Sequence, residues 1–239
     1  MNILIRKLQT IGSLTESEKA FLLGLPSRVI VAKKGTVIAA DGAVASRSCL
    51  VLEGFAHREK LNAAGGRQIF SFHPAGDIPD LQNLHLGRMD HNLVATSDCR
   101  VALIDHRDLN AVLGQSASLT GIMWRDCLID AASFRQWMLM LGQADAETRM
   151  AHLFCELFVR LRVMGLNDGL RFNFPATQTD IGDALGISAV HTNRTLQELR
   201  GEGLIAVDRT EVEILNWSGL RARAMFDGAY LHYTDSEEA

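Results

Sequence analysis

Residues 177–200 read TQTDIGDALGISAVHTNRTLQELR, two helical patterns joined at one glycine. Thr177 and Asp180 stand three residues apart, the spacing at which a hydroxyl and a carboxylate close the free N–H groups at the start of a helix. Ile181, Ala184 and Leu185 then supply an apolar face at helical spacing. Gly186 breaks that helix, because glycine adopts the positive φ of a sharp turn at little cost, and Ile187 is placed to plug the corner. Ser188 caps a second helix. On it Thr192, Thr195, Leu196 and Leu199 fall on one side, and Ala189, Val190, Asn193, Arg194 and Gln197 on the other. The second set suits the major groove of DNA: Arg pairs bidentately with guanine, Asn and Gln with adenine, and Ala or Val touches a thymine methyl. The pattern predicts a helix-turn-helix. Two helices around a glycine also occur in ordinary helical domains, so the flanking sequence has to decide.

Downstream of the motif, LIAVDRTEVEIL reads as two short strands around a turn near Asp208 to Glu211. A hairpin directly behind a helix-turn-helix makes a winged helix. Trp217, Leu220, Phe226, Tyr230 and Leu231 predict a packed final helix, and DSEEA an unstructured acidic end. Upstream, Asn167 to Phe174 is a short β-like connection. Before it, Asp145 caps a helix whose Met150, Leu153, Phe154, Leu157, Phe158, Leu161 and Met164 form an apolar stripe. Ser116 to Gly142 contains no proline and at ~1.5 Å per residue would be roughly 40 Å of helix. Thr120, Trp124, Cys127, Ala131, Phe134, Met138 and Leu141 recur along it at alternating gaps of four and three, the spacing of a coiled-coil seam, and the readings are a seam between two copies or, as the alternative, one buried helix touching its own domain on all sides. Leu119, Ile122 and Ile129 form a second edge that would pack on the preceding domain.

That preceding domain has another period. From Arg28 to Ile104 the chain runs RVIVA, TVIAA, CLVLEG, FAHREKL, RQIFSF, HNLVAT and CRVALI, short β-rich runs separated by glycine or polar turns. Seven or more strands at this spacing predict a jelly-roll or barrel, with Asn62 to Gly66 as a hairpin loop. Short helices are expected at Leu14 to Leu23, opened by Thr15, and at His106 to Leu113.

Composition sets bounds. The 239 residues, 47% hydrophobic, suffice for one large or two modest domains. A net charge of −4 does not advertise nucleic-acid binding, although an acidic first domain can mask a locally basic second one. The opening MNILIRKLQT lacks the apolar run of a signal peptide, and no stretch reaches the ~18 apolar residues of a membrane span. A cytoplasmic protein without membrane contact is expected. Cys49, Cys99, Cys127 and Cys155 lie far apart with no C-x-x-C pair and are expected to be reduced and structural. No Ser-His-Asp array, phosphate-binding glycine loop or metal-ligand spacing stands out, so neither an enzyme nor a metal or cofactor protein is expected.

A β-barrel of about a hundred residues, one long helix and a winged helix, in that order, resembles the Crp/Fnr family of bacterial transcription regulators across nearly the whole chain. The likeness is sharpest in the helix-turn-helix, with Gly186, Ser188, Arg194, Leu196 and Leu199 at matching places. KKGTVIAADG, LVLEG and FHPAGD resemble the family's barrel. S-A-V-H-x-N-R-T-L-Q-E-L-R is similar to an alphaproteobacterial branch. The resemblance implies an α+β architecture: a β jelly-roll resembling cyclic-nucleotide-binding domains over residues 1–115, a dimerisation helix over 116–142 and a winged helix-turn-helix domain over 143–239. It also implies a homodimer on double-stranded DNA, contact with RNA polymerase, and a small-molecule effector in some members.

On this basis Ser188, Ala189, Val190, His191, Asn193, Arg194 and Gln197 are expected at the DNA, with Thr177 and, in the wing turn, Arg209. Trp124, Cys127, Ala131, Phe134, Met138 and Leu141 are expected at the dimer interface. Asp77, Asp80, Arg88, His91 and Asn92 are the candidate effector pocket. Two departures matter. Many members place a cytosine-reading Glu where this chain has Val190. Cyclic-nucleotide members hold the phosphate with an Arg-Ser pair where this chain has Asp90, His91 and Asn92, and Asp90 would repel that phosphate. Iron-sulfur members carry an N-terminal cysteine cluster, absent here before Cys49. A different class of function, a small-molecule module whose helical tail contacts protein, would leave the reading face without a DNA target.

Overall fold

The computed structural model describes residues 1–234, so the acidic end at 235–239 lies outside the described residues. The chain divides into two compact units, Met1–Ala131 with Tyr233 and Thr234, and Ala132–His232. The division falls inside the long helix rather than at either of its ends.

In the first unit, a helix that the sequence does not announce, α1 (Asn2–Gln9), buries Leu4, Ile5 and Leu8. Helix α2 (Glu16–Leu23) opens with a capping box: the Thr15 N–H donates to Glu18 Oε2 at 2.8 Å, and the Glu18 N–H to Thr15 Oγ1 at 3.3 Å. Then come β1 (Arg28–Ala32), β2 (Val37–Ala39), β3 (Arg47–Glu53), β4 (Phe55–Leu61) and β5 (Arg67–Pro74), a short helix α3 (Asn83–Leu86), and β6 (Asn92–Ala95) and β7 (Cys99–Asp105). They pair antiparallel in two sheets, ordered β1-β7-β3 and β2-β6-β4-β5. Alternating side chains from both sheets meet in a core that includes Cys49, Val51, Ala56, Met89, Leu93 and Val101. In the β4–β5 hairpin, Asn62 Oδ1 accepts the N–H groups of Ala64 and Gly66, each at 2.9 Å, which fixes the loop.

Helix α4 (His106–Leu113) leads into α5 (Ala117–Gln143). Its edge Leu119, Ile122 and Ile129 is buried, as the spacing predicts. Ile122 packs so closely on Gly12 that a Cβ there would lie 3.1 Å from Ile122 Cγ1. The seam residues take the other side. Trp124, Phe134, Met138 and Leu141 are exposed, as are Thr120 and Ala131, and Cys127 is half-buried.

In the second unit Asp145 caps α6 (Ala146–Val163), its Oδ1 accepting the Thr148 N–H at 2.7 Å. The expected apolar stripe is buried, but so is most of the helix, including His152, Cys155 and Glu156. Donors surround the buried Glu156 side chain: Trp137 Nε1 at 2.9 Å, the Tyr230 hydroxyl at 2.7 Å and Arg160 Nη1 at 3.3 Å. Next come β8 (Arg171–Asn173), α7 (Gln178–Leu185), α8 (Ala189–Gly201), β9 (Ile205–Asp208), β10 (Glu211–Ile214) and α9 (Trp217–Arg223), then a 3₁₀ turn at Gly228–Leu231. The wing gains a strand over the two expected. The sheet runs β8-β10-β9, because the β-like connection before the motif pairs with the second hairpin strand. Phe158 packs against Phe172 and Trp217, and Phe154 against Phe174, tying α6 to the sheet and α9.

Candidate nucleic-acid interface

The helix-turn-helix is held by local bonds. Thr177 and Asp180 close a full capping box on α7: the Thr177 N–H and hydroxyl donate to Asp180 Oδ2 at 2.9 and 2.7 Å, and the Asp180 N–H returns to Thr177 Oγ1 at 3.1 Å. Gly186 ends α7 at φ +67°, the left-handed region. Ser188 Oγ accepts the His191 N–H at 3.2 Å and starts α8. The tightest point is a residue the spacing does not single out. A Cβ on Gly182 would lie 2.6 Å from the Ile187 carbonyl and 3.0 Å from Thr192 Oγ1, so α7 meets the backbone of the turn and the Thr192 side chain of α8 there. Gly182→Val is therefore expected to cost ~1 to 3 kcal/mol in denaturant unfolding of the second unit. An unchanged midpoint would mean that the turn relaxes freely.

Along α8 the two faces separate as predicted. Thr192, Thr195, Leu196 and Leu199 are buried, while Ala189, Val190, Asn193, Arg194 and Gln197 are exposed and His191 is half-buried. Val190 is 82% exposed, an apolar side chain presented to solvent at the leading end of the helix. The Arg194 side chain is 65% exposed, with Nε 3.6 Å from Glu198 Oε1. Asn193 Nδ2 donates to Gln178 Oε1 at 3.3 Å, which brings Gln178 of α7 to the reading edge. In the two-residue turn between β9 and β10, Arg209 is exposed at φ +53°. Thr177 is exposed at the start of α7, its side chain engaged in the cap. This surface offers guanidinium, amides, hydroxyls and small apolar groups, the chemistry of base-edge and phosphate contact.

The five residues named for an effector each have a partner within the first unit. Asp77 lies 3.5 Å from Lys7 Nζ, and its Oδ2 is 3.0 Å from His73 Nδ1. Asp80 Oδ1 accepts the Cys49 N–H at 2.8 Å, and burial pushes its carboxyl up to about 6. Arg88 is exposed and donates to the Gly42 carbonyl at 2.9 Å. His91 Nδ1 is 2.6 Å from Asp90 Oδ1, and its buried Nε2 has no hydrogen-bond partner. Asn92 Oδ1 accepts the Asp41 N–H at 2.8 Å.

His73 is enclosed, and burial, reinforced by the Arg58 charge, pushes its pKa down to about 4. A neutral ring fits its surroundings: Nδ1–H donates to Asp77, and Nε2 accepts from Ser71 Oγ at 2.7 Å. A histidine whose folded value is depressed contributes stability that is full above about 6.5 and is lost as pH falls toward 4. His73 by itself contributes a loss on the order of 3 kcal/mol across that window, opposed by Asp80, whose raised carboxyl takes up its proton there, and His73→Gln is expected to remove the His73 part of the slope in pH-dependent melting. A slope unchanged by the substitution would place the acid sensitivity elsewhere.

Burial pushes the thiols of Cys49, Cys99 and Cys155 up and that of Cys127 up to about 12, which disfavours thiolate chemistry at neutral pH. Among the described residues there is no group of three or more His, Cys, Asp or Glu able to hold a metal ion, and no helix long and apolar enough to cross a membrane.

A two-sheet β domain, a long helix and a winged helix with a polar, exposed second helix define a class: a transcription regulator that binds DNA through its C-terminal part. Comparison with known proteins gives the family. Residues 29–116 match the cyclic nucleotide-binding domain, and residues 148–223 the Crp-like helix-turn-helix domain. The chain is 26% identical over 196 residues to the transcriptional activator protein FnrA of Stutzerimonas stutzeri, covering 80% of this chain and 78% of that one. It is 24% identical over 184 residues to the transcriptional activator protein anr of Pseudomonas aeruginosa, covering 77% and 75%. The solved structure of FixK2 from Bradyrhizobium japonicum superposes with a TM-score of 0.76 at 24% identity, covering 83% of this chain and 97% of that one. The chain belongs to the Crp/Fnr family of transcription regulators.

Proposed function

We propose that the chain works as a homodimer, joined along the exposed face of α5, that sets two copies of α8 in successive major grooves of a pseudo-palindromic operator. The observation that carries this reading is the apolar stripe on α5. Trp124 at 59%, Phe134 at 41% and Met138 at 65% exposure form a row with Cys127, Ala131 and Leu141, at the alternating steps of four and three that a second copy matches. A two-fold axis along that row would pair the patch with itself and mirror the symmetry of the operator.

Within each half-site, Arg194 reads guanine, Asn193 and Gln197 favour adenine, and Ala189 and Val190 contact thymine methyls. Ser188, His191, Thr177 and Arg209 hold the backbone. FnrA and anr are activators by name, and action through RNA polymerase in the cytoplasm follows the same pattern here. The work proposed is binding rather than catalysis, without cofactor or metal, and without cyclic-AMP or iron-sulfur sensing of the usual kind. Asp90 and His91, paired to each other where an Arg-Ser pair would hold a cyclic phosphate, support that last point. Any small effector would act through Asp77, Asp80, Arg88, His91 or Asn92.

Selection of bound fragments from genomic DNA with the purified protein tests the reading. The expected result is an inverted repeat with half-sites about one helical turn, roughly 34 Å, apart, and an affinity that falls steeply with salt. Enrichment of no motif, with little salt dependence, would instead favour a small-molecule module whose helical part contacts protein.

A further inference from the structure

Asp126 and Asp130 stand four apart on α5 and so share one face of the helix. Each meets a cation brought from elsewhere in the first unit. Asp126 Oδ1 is 3.6 Å from Lys7 Nζ of α1, a side chain only 10% exposed that also lies 3.5 Å from Asp77. Asp130 Oδ2 is 2.7 Å from Arg58 Nη1 of β4, a guanidinium 7% exposed. Arg58 also donates to two fixed points, from Nε to the Pro79 carbonyl at 2.6 Å and from Nη2 to Gln82 Oε1 at 3.5 Å. On β4 it shares a face with Ala56 of the β core, so this is a charge set into the domain rather than on its rim.

A buried guanidinium needs an anion, because leaving it without one costs far more than a surface charge does. Here the ion-paired anion comes from α5, and the buried Asp80 carboxyl also feels the Arg58 charge. The Asp130 side chain is 36% exposed, so one side of the pair is sealed and the other is open to solvent. Buried ion pairs add little net stability, but they set register, because a helix displaced by one residue loses the partner. The same helix carries the apolar stripe, so the register that Asp126 and Asp130 set decides which residues face outward.

We propose that Arg58 is an anion socket whose resident occupant is the Asp130 carboxylate. The chain thereby supplies its own anionic effector, holding α5 in register on the first unit, and the socket accepts a free carboxylate when Asp130 is removed. The effect on DNA binding rests on the dimeric reading above; the existence of the socket does not.

The test uses the full chain with Asp130→Ala, and Asp130→Asn as the isosteric control, with formate as the probe at constant ionic strength. Both variants are expected to melt cooperatively and to bind the selected operator about 5- to 150-fold more weakly than the parent, the usual span of a coupling between sites. Formate is expected to raise the melting temperature of Asp130→Ala and recover part of its operator affinity, and to do neither for the parent chain. Operator binding by Asp130→Ala equal to the parent's would reduce the pair to structure alone. Absence of any formate effect on melting would overturn the socket. A parent chain that selects no operator would instead overturn the dimeric reading, and the melting arm would still decide the socket.

Discussion

Met138→Glu is expected to leave the chain folded but monomeric, and to lower operator affinity by ~10² to 10⁴-fold, the factor by which linked sites exceed single ones. Met138 is 65% exposed, so the substitution removes little from the interior of its own chain. Across a two-fold seam, however, it sets two carboxylates close together in an apolar interface, where like charges are costly and cannot be solvated. A dimer delivers two copies of α8 at a fixed separation, whereas a monomer binds each half-site alone. Sedimentation or light scattering reads the mass, and titration of operator against half-site DNA reads the affinity. Trp124→Glu, at the other end of the stripe, is expected to act the same way. A monomeric variant that still binds the full operator like the parent would mean that α5 does not couple the two reading heads.

Arg194→Ala is expected to cost ~1 to 3 kcal/mol on the operator and to relax preference at one base pair per half-site. The side chain is exposed and lies 3.6 Å from Glu198, a surface pair of small worth, so its removal should leave the fold intact. Its neighbours toward the helix start, Ala189 and Val190, cannot accept a hydrogen bond from cytosine. Hydrogen-bonded readout therefore falls on Arg194 and the amides. Binding to operators changed singly at each position separates two roles. A loss confined to one position marks base reading, and an equal loss on every sequence, with a salt slope reduced by about one, marks a phosphate clamp.

What the sequence discloses depends on how local each determinant is. The capping box of Thr177 and Asp180, the turn at Gly186, the cap at Ser188 and the two faces of α8 are written within a few residues of one another, and all appear in the structure. The strands of the β domain are legible for the same reason, through alternation and turn residues. Determinants that depend on a distant partner are not. Helix α1 is short and has no side-chain cap, and its Lys7 meets Asp77 and Asp126 far along the chain. Arg58 and Asp130 are 72 residues apart, and no pattern on β4 or α5 announces the pair. Gly182 is a local case that helical spacing still hides, since it looks like any helical glycine until the Ile187 carbonyl, five residues on, is seen against it. The effector candidates illustrate the same limit: residue type marks Asp77 and Asp80 as acidic, but only the fold reveals that Lys7, His73 and the Cys49 N–H are what they meet.

The central claim is that two copies of α8, held by α5, read DNA one turn apart. A hydroxyl-radical footprint of the purified protein on its selected operator tests it most directly. Two protected patches related by symmetry, on one face of the duplex and about 10 base pairs from centre to centre, are the predicted result. A single patch, or protection spread evenly along the fragment, would contradict it.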